Sequence, residues 1–153
     1  MEIALLAVGR LRPYYREACD DYLRRLSRYA RMEEVEVREA RAASAAAQQI
    51  EEAARLAARR AAGATTICLA REGTPWSSTD LARKLEAWQL AARPLAFIVG
   101  GSVGLAPHFI RSAAAIWSLG PLTLPHELAR VVVVEQLYRA CTILRGEPYH
   151  KGR

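Results

Sequence analysis

Leu95-Ala-Phe-Ile-Val-Gly-Gly-Ser-Val-Gly104 is the stretch that decides the fold class. Five apolar residues between Pro94 and a glycine pair have the length of a strand buried on both faces. Pro107 then suits the first turn of a short helix over about 107–115, because only an orphan N–H is lost there. A strand apolar on both sides needs helices on both sides, which predicts an α/β layered fold with a mainly parallel sheet.

The same alternation extends in both directions. Residues 3–8 form a buried strand ended by Gly9. From Pro13, Tyr14, Ala18, Tyr22, Leu26 and Tyr29 recur at helical spacing to about Ala30, and Val35 and Val37 alternate with charges in a half-exposed strand. Residues 44–62 predict an amphipathic helix with Ile50, Ala54 and Leu56 on one side, ended by Gly63. A strand over 65–70, a Gly73-Thr74-Pro75 turn and a helix capped at 77–79 and carrying Leu81, Leu85 and Trp88 come next. After the glycine turn, an extended stretch over 116–119 precedes a last helix over about 125–144 and a tail over 146–153. No repeat or linker interrupts this order, so residues 1–153 are expected to form a single domain.

Composition narrows the class. Of 153 residues, 52% are hydrophobic and 25% charged, which excludes disordered and collagen-like chains. No apolar run reaches the roughly 18–20 residues of a membrane span, and the N-terminus lacks the pattern of a secretory signal. Cys19, Cys68 and Cys141 are odd in number and scattered, which suits a reducing cytoplasm rather than a disulfide scaffold. His108, His126 and His150 show no metal-ligand spacing, so no metal is expected. The net charge of +6 leans towards a polyanionic partner, although a solvated basic surface is the commoner explanation of such a charge. Seven arginines between positions 10 and 31 are its densest part, and Arg145, Lys151 and Arg153 add to it in the tail.

Several stretches could carry chemistry. Gly100 to Gly104 lies between a strand and a helix but lacks GxGxxG spacing and a following ribose-holding acid, so a dinucleotide site is disfavoured and a plain tight turn is as good a reading. Residues 117–126 form an almost uncharged loop holding Gly-Pro and Leu-Pro, and an apolar loop should be buried, with its backbone polar groups needing partners. A ligand with an aromatic ring and hydrogen-bonding edges would supply them; packing under a neighbouring element is the alternative. The last helix is apolar nearly all round, as at a subunit interface. Within it, Glu135 and Arg139 stand at i,i+4, and Arg130 among valines needs a carboxylate, a carbonyl or a phosphate. Tyr149, His150 and Lys151 bring together group types that suit a nucleobase and its phosphate.

Taken in order along the chain, these blocks resemble one family. Ile3-Ala-Leu-Leu-Ala-Val-Gly9, Phe97-Ile-Val-Gly-Gly101, Leu122-Thr-Leu-Pro-His126, Glu135-Gln-Leu-Tyr-Arg-Ala140 and Arg145-Gly-Glu-Pro-Tyr-His150 look like the bacterial ribosomal RNA large-subunit methyltransferase H family. This is a SPOUT-class group that N3-methylates a pseudouridine in 23S rRNA. The resemblance implies an α/β sheet with a C-terminal trefoil knot, a homodimer, S-adenosyl-L-methionine as cofactor, and 23S rRNA within the ribosome as partner. Topology rules alone would have led to an ordinary open sheet. Carried over by position, cofactor contacts fall at Leu69, Gly100, Leu119, Gly120, Pro121, Leu122, Thr123 and Leu124. Catalytic candidates are Arg139, Arg130, Glu135, Tyr149, His150 and His126. Arg139 and Arg130 would supply positive charge, with Glu135 orienting Arg139, while Tyr149 and His150 reach the base. His150 is the better proton acceptor because imidazole titrates near neutrality, with His126 a second candidate. A non-catalytic RNA-binding protein and a small-molecule enzyme holding a nucleotide at residues 100–104 are the rival readings.

Overall fold

A computed structural model describes residues 1–151; Arg153 of the basic tail and the end of the expected 1–153 domain lie outside the described residues. The elements follow as β1 (Glu2–Val8), α1 (Pro13–Leu26), β2 (Arg31–Val37), α2 (Ala45–Arg59), β3 (Thr65–Pro75), α3 (Ser78–Leu90), β4 (Leu95–Val99), α4 (Pro107–Arg111), β5 (Ala115–Ser118) and α5 (His126–Leu144). A 3₁₀ turn, Pro148–His150, closes the described chain. The five strands are parallel, in the order β2-β1-β4-β3-β5.

β4 occupies the centre, as its unbroken apolar sequence requires. All five of its residues are buried. Leu95, Phe97 and Val99 join the core beneath α1, α3 and α5, while Ala96 and Ile98 join the core beneath α2 and α4. The two-residue period of a strand thus divides the molecule into three layers. The connections through α1 and α3 step towards the β2 edge on one face, and those through α2 and α4 step towards the β5 edge on the other. All four crossovers therefore share one hand, as the chirality of twisted strands demands.

Local sequence explains the element starts. Prolines open α1 and α4, Ser44 caps α2 at the Ala47 N–H, and Ser77 and Asp80 close a reciprocal capping box on α3.

Three expectations need correction. In α2 the buried face is Glu52, Ala53 and Leu56, whereas Ile50 is 59% exposed and Ala54 lies outside. Glu52 can face inward because its carboxylate accepts from the Ala40 N–H at 3.0 Å and from Gln48 at 3.0 Å. Gly73-Thr74-Pro75 is not a free turn: after an irregularity following Leu69, Thr74 and Pro75 pair again with β5. A Cβ on Gly73 would stand 2.5 Å from the Ile116 carbonyl oxygen, so only glycine permits that approach. Finally, α4 is short, ending at Arg111 rather than near Ala115, because β5 begins there.

The acidic side of β2 does not face open water. Val35 and Val37 are buried towards α2, which turns Glu34 and Glu36 towards α1 and α5. Arg16 meets them at 2.6 and 2.7 Å, and Arg130 of α5 also reaches Glu36. Among the described residues no helix is long and apolar enough to cross a membrane.

Candidate active site

Ligands of open parallel sheets bind beyond the carboxyl ends of the strands. Here the segments leaving β3, β4 and β5 enclose a cavity of about 570 Å³ at that edge. Leu69, Gly100, Leu119, Gly120, Leu122, Thr123 and Leu124 all line it, as does His126 at the start of α5. Pro121 sits in the same loop, exposed, but does not line the cavity. The apolar loop is therefore a cavity wall rather than a segment buried under a neighbour. Leu122 is 75% exposed. Within the described residues, the backbone N–H and C=O groups of Leu122, Thr123 and Leu124 have no hydrogen-bond partner, and the Gly120 N–H is held only by Ser118 Oγ at 3.1 Å.

The glycine turn opposite is rigid for reasons of its own packing. Gly101 and Gly104 pair across the turn, and the Gly104 N–H donates to the Gly101 carbonyl at 3.1 Å. A Cβ on Gly100 would meet Gly104 backbone at 2.9 Å, and one on Gly101 would meet Val8 Cγ1 at 2.9 Å. Gln49 of α2 pins the turn from outside, donating to the Val103 carbonyl at 2.6 Å, and Ser102 donates to Glu39 at 2.9 Å. Gln49, Arg71 and Arg111 also line the cavity and were not singled out from the sequence. None sits in a motif or on a periodic face, so only the folded chain reveals them.

A second cluster forms farther along α5. Glu135 Oε1 accepts from Arg139 Nε and Nη2 at 3.0 and 2.7 Å and from the Tyr149 hydroxyl at 3.0 Å. The Arg139 guanidinium lies 4.9 Å from the Tyr149 ring centroid, and Tyr149 packs edge-on against Tyr138 at 4.6 Å. Burial, then hydrogen bonds with Tyr22 and Glu135, push the Tyr149 phenol well above its ordinary range. Tyr149 is therefore a donor, not a base, near neutral pH. Glu135 likewise raises the pKa of Arg139 through their hydrogen bond. His150 follows in the 3₁₀ turn, its Nδ1 buried with no partner among the described residues.

Arg130 belongs to neither group. It is 1% exposed; its two Nη groups donate to Glu36, to the Val8 carbonyl at 3.2 Å and to the Gly9 carbonyl at 2.9 Å, while its Nε is buried with no partner among the described residues. Nor are the first-helix arginines broadly free: Arg12 pairs with Glu127, Arg16 with Asp20, Glu34 and Glu36, and Arg24 and Arg25 with Asp21. Among the described residues no group of three His, Cys, Asp or Glu side chains could hold a metal.

Residues 1–150 match the family model described as "Predicted SPOUT methyltransferase". The chain belongs to the SPOUT methyltransferase family. Among the relatives of this SPOUT chain are proteins named ribosomal RNA large subunit methyltransferase H. The protein of that name from Gloeobacter violaceus is 49% identical over 99% of this chain and 100% of its own length. That from Rubrobacter xylanophilus is 49% identical over 95% and 96%, and that from Pseudomonas aeruginosa PAO1 is 41% identical over 99% and 100%. Among solved structures, a probable methylase family protein from Haemophilus influenzae Rd KW20 superposes with a TM-score of 0.58 at 12% identity, covering 96% of this chain and 69% of that one. A probable methyltransferase from Bordetella pertussis Tohama I gives 0.54 at 18% identity, covering 92% and 96%. These two likenesses concern the SPOUT fold alone. The sequence resemblance and the mainly parallel α/β sheet are thus both upheld.

Proposed function

We propose that this SPOUT methyltransferase transfers a methyl group from S-adenosyl-L-methionine to N3 of a pseudouridine in 23S rRNA, on the assembled ribosome or large subunit in the cytoplasm. The observation that carries the proposal is the loop over residues 119–124. It presents apolar side chains and unpartnered backbone groups to a cavity whose volume suits a nucleoside-sized ligand. Backbone donors and acceptors there would read an adenine edge, with leucines against its faces. Leu69, Gly100, Leu119, Gly120, Leu122, Thr123 and Leu124 are the residues that would hold the cofactor, and Pro121 would shape the loop without lining the cavity.

When bound, the cofactor supplies a methyl group already activated by its sulfonium. The protein's share of the work is to position the base, accept the N3 proton and stabilise negative charge as it develops. Arg139, oriented by Glu135, would provide the charge, the Tyr149 hydroxyl a hydrogen bond, and His150 or His126 the proton acceptor. Arg130, with both Nη groups already engaged, would act by holding α5 to the ends of β1 and β2.

Glu135 and Arg139 lie nine and thirteen residues beyond His126 on α5, or about 13 and 20 Å at helical rise. Ala129 also lines the cavity, and from it Glu135 and Arg139 still stand about 9 and 15 Å along the helix, neither of them in the cavity lining. A second copy, bringing its own Glu135–Arg139–Tyr149 cluster to this cavity, would resolve the separation, so the active unit is proposed to be a homodimer. The trefoil knot implied by the resemblance belongs to the same proposal. Calorimetry with S-adenosyl-L-methionine, paired with gel filtration, tests it. Stoichiometric cofactor binding by a dimer is expected. Binding of NAD or ATP instead, or RNA binding with no affinity for the cofactor, would favour the rival readings.

A further inference from the structure

The proposed reaction needs cations beside the cavity that are free to meet a polyanion, and the arginine-rich first helix has few to offer. Arg12, Arg16, Arg24 and Arg25 each hold a carboxylate. Arg130 is buried in its own network and Arg139 is tied to Glu135. Two arginines of the cavity lining differ from these. Arg71, just past Leu69 on β3, and Arg111, the last residue of α4, are exposed, line the cavity and make no ion pair or hydrogen bond among the described residues. Glu72, also exposed and unpaired, is the one carboxylate among the described lining residues.

We propose that Arg71 and Arg111 form the phosphate-contacting rim of this cavity, engaging the RNA backbone beside the target nucleotide, and so set substrate rather than cofactor affinity. The inference rests on the RNA-methyltransferase reading above and locates its electrostatic contacts. An unpaired, solvated guanidinium loses little on meeting a phosphate, because no existing ion pair must break. It also attracts RNA over a Debye length before contact. The apolar loop does the opposite work, since Leu119, Leu122 and Leu124 offer no charge to a backbone. Division of labour follows: the uncharged wall takes the cofactor and the cationic rim takes the nucleic acid. Glu72 sits within that rim as a repulsive element, which limits the affinity of the contact.

The test uses Arg71→Gln, Arg111→Gln, Arg71→Lys and Glu72→Gln in the full-length protein. Methylation of ribosomes lacking the modification is followed at several salt concentrations, and cofactor affinity is measured separately by calorimetry. Each Arg→Gln change should lower kcat/KM for ribosomes about five- to tenfold. It should also make log(kcat/KM) against log[salt] shallower by about 0.7–0.9, one phosphate's worth of counterion release. Arg71→Lys should keep the wild-type slope, and Glu72→Gln should raise kcat/KM. Cofactor affinity should stay within about twofold throughout. An unchanged salt slope in both Arg→Gln variants overturns the proposal. A loss of cofactor affinity matching the loss of kcat/KM would instead assign the guanidiniums to the cofactor's carboxylate. Should the wild-type protein neither bind the cofactor nor methylate ribosomes, the underlying activity fails first, and is recognised as such before any variant is compared.

Discussion

Arg130→Met separates a structural arginine from a chemical one. The substitution preserves much of the side-chain volume and removes every donor. The Val8 and Gly9 carbonyls then lose their guanidinium partner, in a place where Val8 is 1% exposed. An unsatisfied buried acceptor costs about 1–3 kcal/mol. Glu34 and Glu36 retain Arg16, and their side chains are 15% and 29% exposed, so water screens part of their loss. That reduces the penalty below the roughly 3–5 kcal/mol of breaking a fully buried pair, to about 2–4 kcal/mol. Native domains hold only about 5–15 kcal/mol, so the change should be plain in urea denaturation. Thermal unfolding should shift down by about 5–15 °C for a chain of this size. Methyl transfer measured well below the new midpoint should stay within about threefold of wild type, because α5 is still docked there. A variant as stable as wild type but without activity would refute this reasoning and return Arg130 to the substrate.

Other perturbations probe the edges of the site. Gly73→Ala forces a Cβ against the Ile116 carbonyl, so the β3–β5 edge should open at a cost of about 1–3 kcal/mol. Disturbance of the stacked Trp76–Trp117 pair should report it in near-ultraviolet circular dichroism; a native spectrum with native stability would contradict the packing. Glu135→Gln weakens the anchor shared by Arg139 and Tyr149. Tyr149 should then ionise at lower pH in spectrophotometric titration, and methyl transfer should fall about 10²-fold; an unmoved tyrosine titration would deny the coupling. Burial pushes the Cys19 and Cys68 thiols up to about 12 and Cys141 up to about 11. Unfolded thiols ionise near 9.0, so their contribution is whole below that pH and is lost as pH rises through 11 to 12. Denaturation midpoints should fall across that alkaline window, and a flat profile would mean the thiols ionise without unfolding.

What could be read from the sequence follows from the range of the forces involved. β4 and β1 are apolar runs whose burial is a local property, so their place in a mainly parallel sheet was legible. The glycine turn and the apolar loop were legible as anomalies because each breaks a local rule, and both do line the cavity. The buried face of α2 was misjudged because alanines give the helix little contrast, and Glu52 faces inward only through partners supplied by the fold. The fate of the arginines was illegible for a related reason. Glu34 and Glu36 alternate with valines, which suggests a wet face, yet α1 and α5 return from distant sequence to cover it. Arg71 and Arg111 matter for the partners they lack, a property that no local spacing can express. The separation of the cavity from the Glu135–Arg139–Tyr149 cluster likewise appears only once the folded chain shows where along α5 the cavity lining stops.

The most direct test of the proposed activity is mass mapping of 23S rRNA from cells in which this chain is the only possible source of the modification. Ribosomes from a deletion strain should carry one pseudouridine lacking a methyl group, and expression of the wild-type chain should restore that single methyl at N3. Identical modification with and without the chain, or a methyl restored on a different nucleotide, would contradict it.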